Sequence, residues 1–176
     1  DWNKIVSNLG ISKDDQIIIY DNSNVISSCR CWYNFIYFGH DPKLVSVLDG
    51  GLRKWKQENK KISKEVIKFT KTNYEGEELI SLVKDKNNID LNISENEFVV
   101  VDARSKERFE GKVPDPRKNV RSGSIPNSIC LPFVEVINKD FSFKNEDELK
   151  SLFNNTLKNT MDNPVFSCGS GVTACV

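Results

Sequence analysis

The residues with the most capacity for chemistry stand near the end of the chain. Cys168-Gly169-Ser170-Gly171-Val172-Thr173-Ala174 follows the apolar-rich stretch 164–167. A thiol at the end of a strand, with glycines that let the backbone curl before a helix starts, predicts a turn whose N–H groups point inward. Such a turn favours thiolate over thiol, and thiolate is the nucleophilic form. The N–H groups along Gly169, Gly171, Val172 and Thr173 equally suit an anion or the outer sulfur of a persulfide. Ser170 either bonds the substrate or the sulfur, or caps the helix that follows. A cysteine that ends a strand is often just a small core residue, but packing has no need of a glycine-rich turn directly after it. Cys29, Cys31 and Cys175 read as core or near-core thiols. The five cysteines, Cys130 included, are odd in number and show no framework spacing, which predicts reduced thiols in a cytoplasmic setting. A single histidine, His40, and the lack of a CxxC pair predict no metal site, and nothing calls for a cofactor.

The elements that must hold this loop alternate between strand and helix. A short amphipathic helix is expected over 1–9, closed by Gly10. A continuous apolar run at 16–20 fits a buried parallel strand. A helix over 25–38 closed by Gly39, a strand at 44–48 and a helix from the Gly50-Gly51 turn to about 57 follow. Residues 59–75 are Lys-rich and weakly periodic and read as an interdomain linker. Beyond them come a helix at about 76–86, a strand at 98–102, a short helix at 105–110 and a long loop over 111–125. A short strand at 129–131, a helix at 146–155, the strand at 164–167 and a helix starting near 171 complete the chain. This alternation predicts an α/β fold of parallel sheets flanked by helices. A faint repeat lays 17–25 over 164–172 with Asp21 matched to Cys168, so two related domains are expected, one of them without the thiol.

The string CGSGVTA resembles the active-site loop of the mercaptopyruvate sulfurtransferases within the rhodanese family. Thiosulfate-preferring members carry basic residues after the cysteine, where this chain has Gly169 and Ser170. LDGG at 48–51 with Leu52 and Trp55 resembles the end of the family's first domain. VVDAR (100–104), RFEG (108–111), PDPR (114–117) and SGSIPNS (122–128) resemble its second. The resemblance implies two rhodanese-like domains, both incomplete here: 1–58 as part of the non-catalytic domain, 59–75 as linker, and 76–176 as the catalytic domain, cut after its loop. It implies Cys168 as nucleophile, Ser170 as a catalytic aid, and Arg108 and Arg117 as holders of the substrate's carboxylate and keto oxygens. Arginine's planar fork suits a 2-oxo acid, which offers paired oxygens. Asp102 and Arg104 are read as structural support for the loop. Ser124 stands where the family has His.

The function so implied is transfer of sulfur from 3-mercaptopyruvate, through a Cys168 persulfide, to a thiol or cyanide acceptor. The thiol belongs to a thioredoxin-like protein or a small molecule. Thiosulfate as donor and a non-catalytic rhodanese binding module are the alternatives. A cysteine phosphatase needs an arginine six residues after the cysteine, where Ala174 stands. With 25 basic and 25 acidic residues, no basic stripe suits nucleic acid or an anionic membrane. No apolar run approaches the roughly 20 residues of a membrane span.

Overall fold

The computed structural model describes residues 1–157 and 163–176. The chain divides into two compact units, Asp1–Val83 and Lys84–Val176.

In the first unit, α1 (Trp2–Asn8) leads into β1 (Ile17–Ile19), α2 (Ile26–Tyr37), β2 (Val45–Val47) and α3 (Gly51–Gln57). β1 and β2 pair in parallel, with Ile17 opposite Val45 and Ile19 opposite Val47. Val6, Phe35, Val45 and Tyr74 form the buried centre, packed by Trp2, Ile17, Ile19 and Trp32. Trp2 meets the Phe35 ring edge-on at 5.0 Å and stacks on Phe38 at 5.1 Å. The apolar run of β1 is buried on one face only, since Ile18 is 62% exposed. A period-2 strand sends Ile17 and Ile19 inward together and Ile18 the other way.

Residues 60–71 form neither helix nor strand, but the chain beyond them docks on this same unit. The N–H groups of Thr72, Glu77 and Leu79 donate to carbonyls of Ser7, Phe38 and Tyr37, and the Tyr74 N–H donates to Ser7 Oγ at 2.9 Å. The Tyr74 ring stacks on His40, whose Nδ1 lies 3.2 Å from the Tyr74 hydroxyl. Tyr74 falls in the expected linker, 59–75, yet it is 1% exposed. The compact division lies after Val83.

The second unit contains α4 (Lys86–Glu95), β3 (Val100–Asp102), α5 (Lys106–Phe109), β4 (Ile129–Cys130), α6 (Glu146–Leu157) and β5 (Val165–Ser167). The strands form one parallel sheet in the order β4-β3-β5. β3 is central and buried throughout, as expected for a parallel strand paired on both sides. Val100, Val101, Ala103, Leu131, Val136 and Ile137 are its buried apolar residues.

The helix expected over 76–86 is not there. Those residues are extended apart from a 3-10 turn at Ile80–Leu82, and the helix runs from Lys86 to Glu95. Asp85 sets its start: the Asp85 carboxylate accepts from Asn88 N–H, and the Asn88 side chain accepts from Asp85 N–H, a reciprocal capping box. The helix expected near 171 is a single 3-10 turn, Thr173–Cys175. The remaining elements lie within a few residues of their expected places.

Candidate active site

β5 ends at Ser167, whose carbonyl accepts from Ala103 N–H at 2.8 Å and so fixes the strand end beside β3. Cys168 follows, half-buried. Burial alone would raise its thiol pKa. The Thr173 hydroxyl and the N–H groups of Ser170, Ala174 and Gly171 outweigh burial, and hold the thiol below its ordinary value. Gly171 takes φ +70°, which glycine adopts without strain. Gly169 accepts a hydrogen bond at its carbonyl from Arg117 Nη1. Val172 enters through its carbonyl, which accepts from Cys175 N–H. The Ser170 side chain is exposed and caps no helix: the turn that follows starts after Val172 without a side-chain cap. Cys175 donates its Sγ–H to the Gly171 carbonyl at 3.0 Å. Cys130, at the end of β4, is the opposite of Cys168: burial, then the nearby Asp102 and Glu135 carboxylates, push its thiol up.

Arg108 sits in α5, capped by Ser105, whose hydroxyl accepts from Arg108 N–H at 3.4 Å. Arg117 lies in the loop after α5. Both reach the cysteine loop. A Cβ placed on Gly169 would lie 3.2 Å from Arg108 Nη2 and 3.5 Å from Arg117 Cζ. Glycine at 169 is therefore what lets the guanidinium groups approach the backbone beside Cys168.

The acid between them, Asp115, went unremarked in the sequence. Its carboxylate accepts from Arg108 Nη2 at 2.5 Å and from Arg117 N, Nε and Nη2 at 3.0, 2.9 and 3.2 Å. Arg104 Nη1 stands 3.9 Å away, and the Asp115 side chain is 1% exposed. Hydrogen bonds from the Arg117 side chain and backbone, then from Arg108, hold its carboxyl far below the usual carboxylate range. Arg108 Nε is buried without a hydrogen-bond partner among the described residues. A donor atom in that state gains from any acceptor oxygen brought to it.

Asp102 and Arg104 form a separate pair. Arg104 Nε and Nη2 grip both Asp102 oxygens at 2.6 to 3.0 Å, and Arg104 Nη2 also donates to the Gly123 carbonyl at 2.8 Å. This ties the end of β3 to the segment that holds Ser124. A concave opening beside Cys168 is lined by Ser167, Ser124 and Arg121, among others. Arg121 and Asp115 both lie in an irregular loop, where no periodic pattern marks a residue as inward-facing. The only signal for Asp115 was its place inside PDPR.

The first unit repeats the arrangement with an acid. Asp21 follows β1 as Cys168 follows β5. Burial would raise its carboxyl pKa, but N–H donors at Ser23, Ser28 and Val25 and the Ser28 hydroxyl hold it below the ordinary value. Val25 takes φ +67°, a conformation costly for a β-branched residue. In each loop a residue at positive φ donates its N–H to the anionic group. Glycine does so in one and valine in the other.

No group of three or more His, Cys, Asp or Glu among the described residues is placed to hold a metal ion. No helix among them is long and apolar enough to cross a membrane.

The chain is similar in sequence and in fold to known proteins. The family model described as rhodanese-like domain matches residues 1–58. The 3-mercaptopyruvate sulfurtransferase of Mus musculus is 37% identical over 95% of this chain and 56% of its own length. The thiosulfate sulfurtransferase of Mus musculus is 32% identical over 97% of this chain and 58% of its own. The chain thus spans little more than half of these relatives. Among solved structures, the Escherichia coli protein SseA, described as a rhodanese-fold 3-mercaptopyruvate sulfotransferase, superposes with a TM-score of 0.83. It is 28% identical and covers 99% of this chain and 64% of its own.

Proposed function

We propose that this chain, which resembles rhodanese-fold sulfurtransferases in sequence and in fold over nearly its whole length, belongs to an enzyme that moves sulfur from 3-mercaptopyruvate to a thiol or cyanide. The observation that carries this reading is the Cys168 thiol, which accepts from three N–H groups and the Thr173 hydroxyl with two guanidinium groups packed against the next residue.

The chemistry is a double displacement. Cys168 Sγ, as thiolate, attacks the sulfur of mercaptopyruvate. The new S–S bond forms as the C–S bond breaks, and the electron pair of that bond leaves on carbon as the enolate of pyruvate. The thiol proton stays on the transferred sulfur, giving a Cys168 persulfide, and the enolate then takes a proton from solvent. In the second half, an acceptor thiolate or cyanide attacks the outer sulfur and Cys168 returns as thiolate. Arg108 and Arg117 hold the carboxylate and keto oxygen. The N–H groups of the loop over 169–174 hold negative charge at either sulfur, so they serve both halves. The Ser170 hydroxyl, exposed beside Cys168, bonds the donor. Asp102 and Arg104 hold the strand end and its neighbouring loop in position. The acceptor is a small thiol or the thiol of a thioredoxin-like protein.

Mass spectrometry of the intact protein after mercaptopyruvate treatment should show one added sulfur on Cys168, lost again on adding cyanide. An unmodified Cys168 beside a modified Cys175 would overturn the assignment. Thiosulfate is the second reading, favoured by the likeness to thiosulfate sulfurtransferase. It is opposed by the uncharged Gly169 and Ser170 after the cysteine.

A further inference from the structure

We infer that Asp115 sets which donor this site accepts, by cancelling one of the charges that a doubly charged donor would need. The inference rests on the sulfurtransferase reading of Cys168, and it concerns the charge of the donor rather than the reaction.

The groups that contact one another around the loop are few. Three guanidinium groups, Arg104, Arg108 and Arg117, face two carboxylates, Asp102 and Asp115, and the Cys168 thiolate supplies a third negative charge, so the group as a whole is neutral. The residues from Gly169 to Ala174 carry no charge. Arg104 is spent on Asp102, so the pair available to a ligand is Arg108 and Arg117, with Asp115 wedged between them. The Asp115 side chain is covered by its arginine partners, but the loop around it is exposed, so its field on a bound donor is that of a near-surface charge and weakens with salt. A monoanion such as mercaptopyruvate brings this neutral group to one net negative charge and a dianion such as thiosulfate brings it to two. Each donor charge is opposed by Asp115, so the carboxylate costs the dianion about twice what it costs the monoanion. Arg121 lies exposed at the neighbouring opening, where solvent and salt weaken its pull.

The expected behaviour is directional. Asp115→Asn frees one positive charge, and the ratio of kcat/KM for thiosulfate over mercaptopyruvate should rise roughly tenfold at low salt, mainly through the KM for thiosulfate. Asp115→Glu keeps the charge and should stay near the parent ratio. Arg117→Gln removes a positive charge and should move the ratio the other way. It also keeps the inference testable if Asp115→Asn does not fold. Equal losses for both donors, or a ratio that moves the same way in Asp115→Asn and Arg117→Gln, would overturn it.

A second measurement separates this from failure of the sulfurtransferase reading. On Cys168→Ser protein, titrations with sulfate and pyruvate report anion preference without turnover. Adding Asp115→Asn should favour sulfate over pyruvate by a similar factor even if the parent moves sulfur from neither donor. An unchanged preference there sinks the inference, whereas an inactive parent with a shifted preference sinks only the reaction.

Discussion

Cys168 and Cys130 lie at the ends of two strands of one sheet, and their surroundings drive them apart. Cys168 gathers hydrogen-bond donors and is held low. Cys130 lies near the Asp102 and Glu135 carboxylates and is pushed up. A lowered pKa means more thiolate at a given pH, so iodoacetamide should label Cys168 first as pH rises, and Cys130 only at higher pH. Peptide mapping across a pH series reads both. Thr173→Val deletes a donor to the sulfur, so the Cys168 labelling midpoint should move upward. A midpoint unmoved by that change would show that the backbone alone sets the thiol. Cys168, Arg108 and Arg117 were legible in the sequence because a glycine-rich turn after a strand has a local signature, and the family motifs carry the arginines. Asp115 was not. Its importance comes from two arginines that converge on it, one seven residues before and one two residues after, and no periodicity announces a loop that folds back on itself.

Short-range chemistry decides where the elements begin, as α4 shows. The stretch 76–86 has enough apolar residues to suggest a helix, yet Leu79 is 41% and Ile80 is 73% exposed. The reciprocal bonds of Asp85 and Asn88 place the true start instead. Asp85→Ala should cost about 1 kcal/mol of stability, read as a lower urea midpoint. The loop after β1 offers a test tied to pH. Asp21 accepts from Ser23 N–H, Ser28 N–H and Ser28 Oγ at 3.0, 3.0 and 3.1 Å, so Asp21→Ala should destabilise by on the order of 1 kcal/mol at neutral pH, a figure that allows for partial solvent screening. Its folded pKa is depressed. The stabilisation is therefore present above the unfolded value of about 4 and is lost as pH falls through the folded value. The gap between parent and variant in urea midpoint should close on acidification below about pH 4. A constant gap would mean that Asp21 acts through packing alone.

At the scale of the whole molecule, the alternation of strands and helices was readable because buried parallel strands leave apolar runs and glycines mark their ends. The reach of the first unit was not. Residues 72–75 read as the end of the linker and 76–79 as the start of a helix, but backbone bonds to Ser7, Tyr37 and Phe38 and the buried Tyr74 ring make them part of that unit. Backbone docking leaves no mark in side-chain patterning. Limited trypsin digestion should cut among the exposed lysines at 60–71. Tyr74→Ala should cost about 3–5 kcal/mol in the first unit and open 72–83 to proteinase K, which cuts without need of a basic residue. The Asp21 loop, finally, bears on how little separates a reactive turn from an inert one. A turn that supplies its own hydrogen bonds can hold a negative charge on sulfur or on oxygen, so the side chain at that one position decides whether a nucleophile is present. The left-handed Val25 is then the conformational cost of delivering one N–H to a carboxylate that transfers nothing.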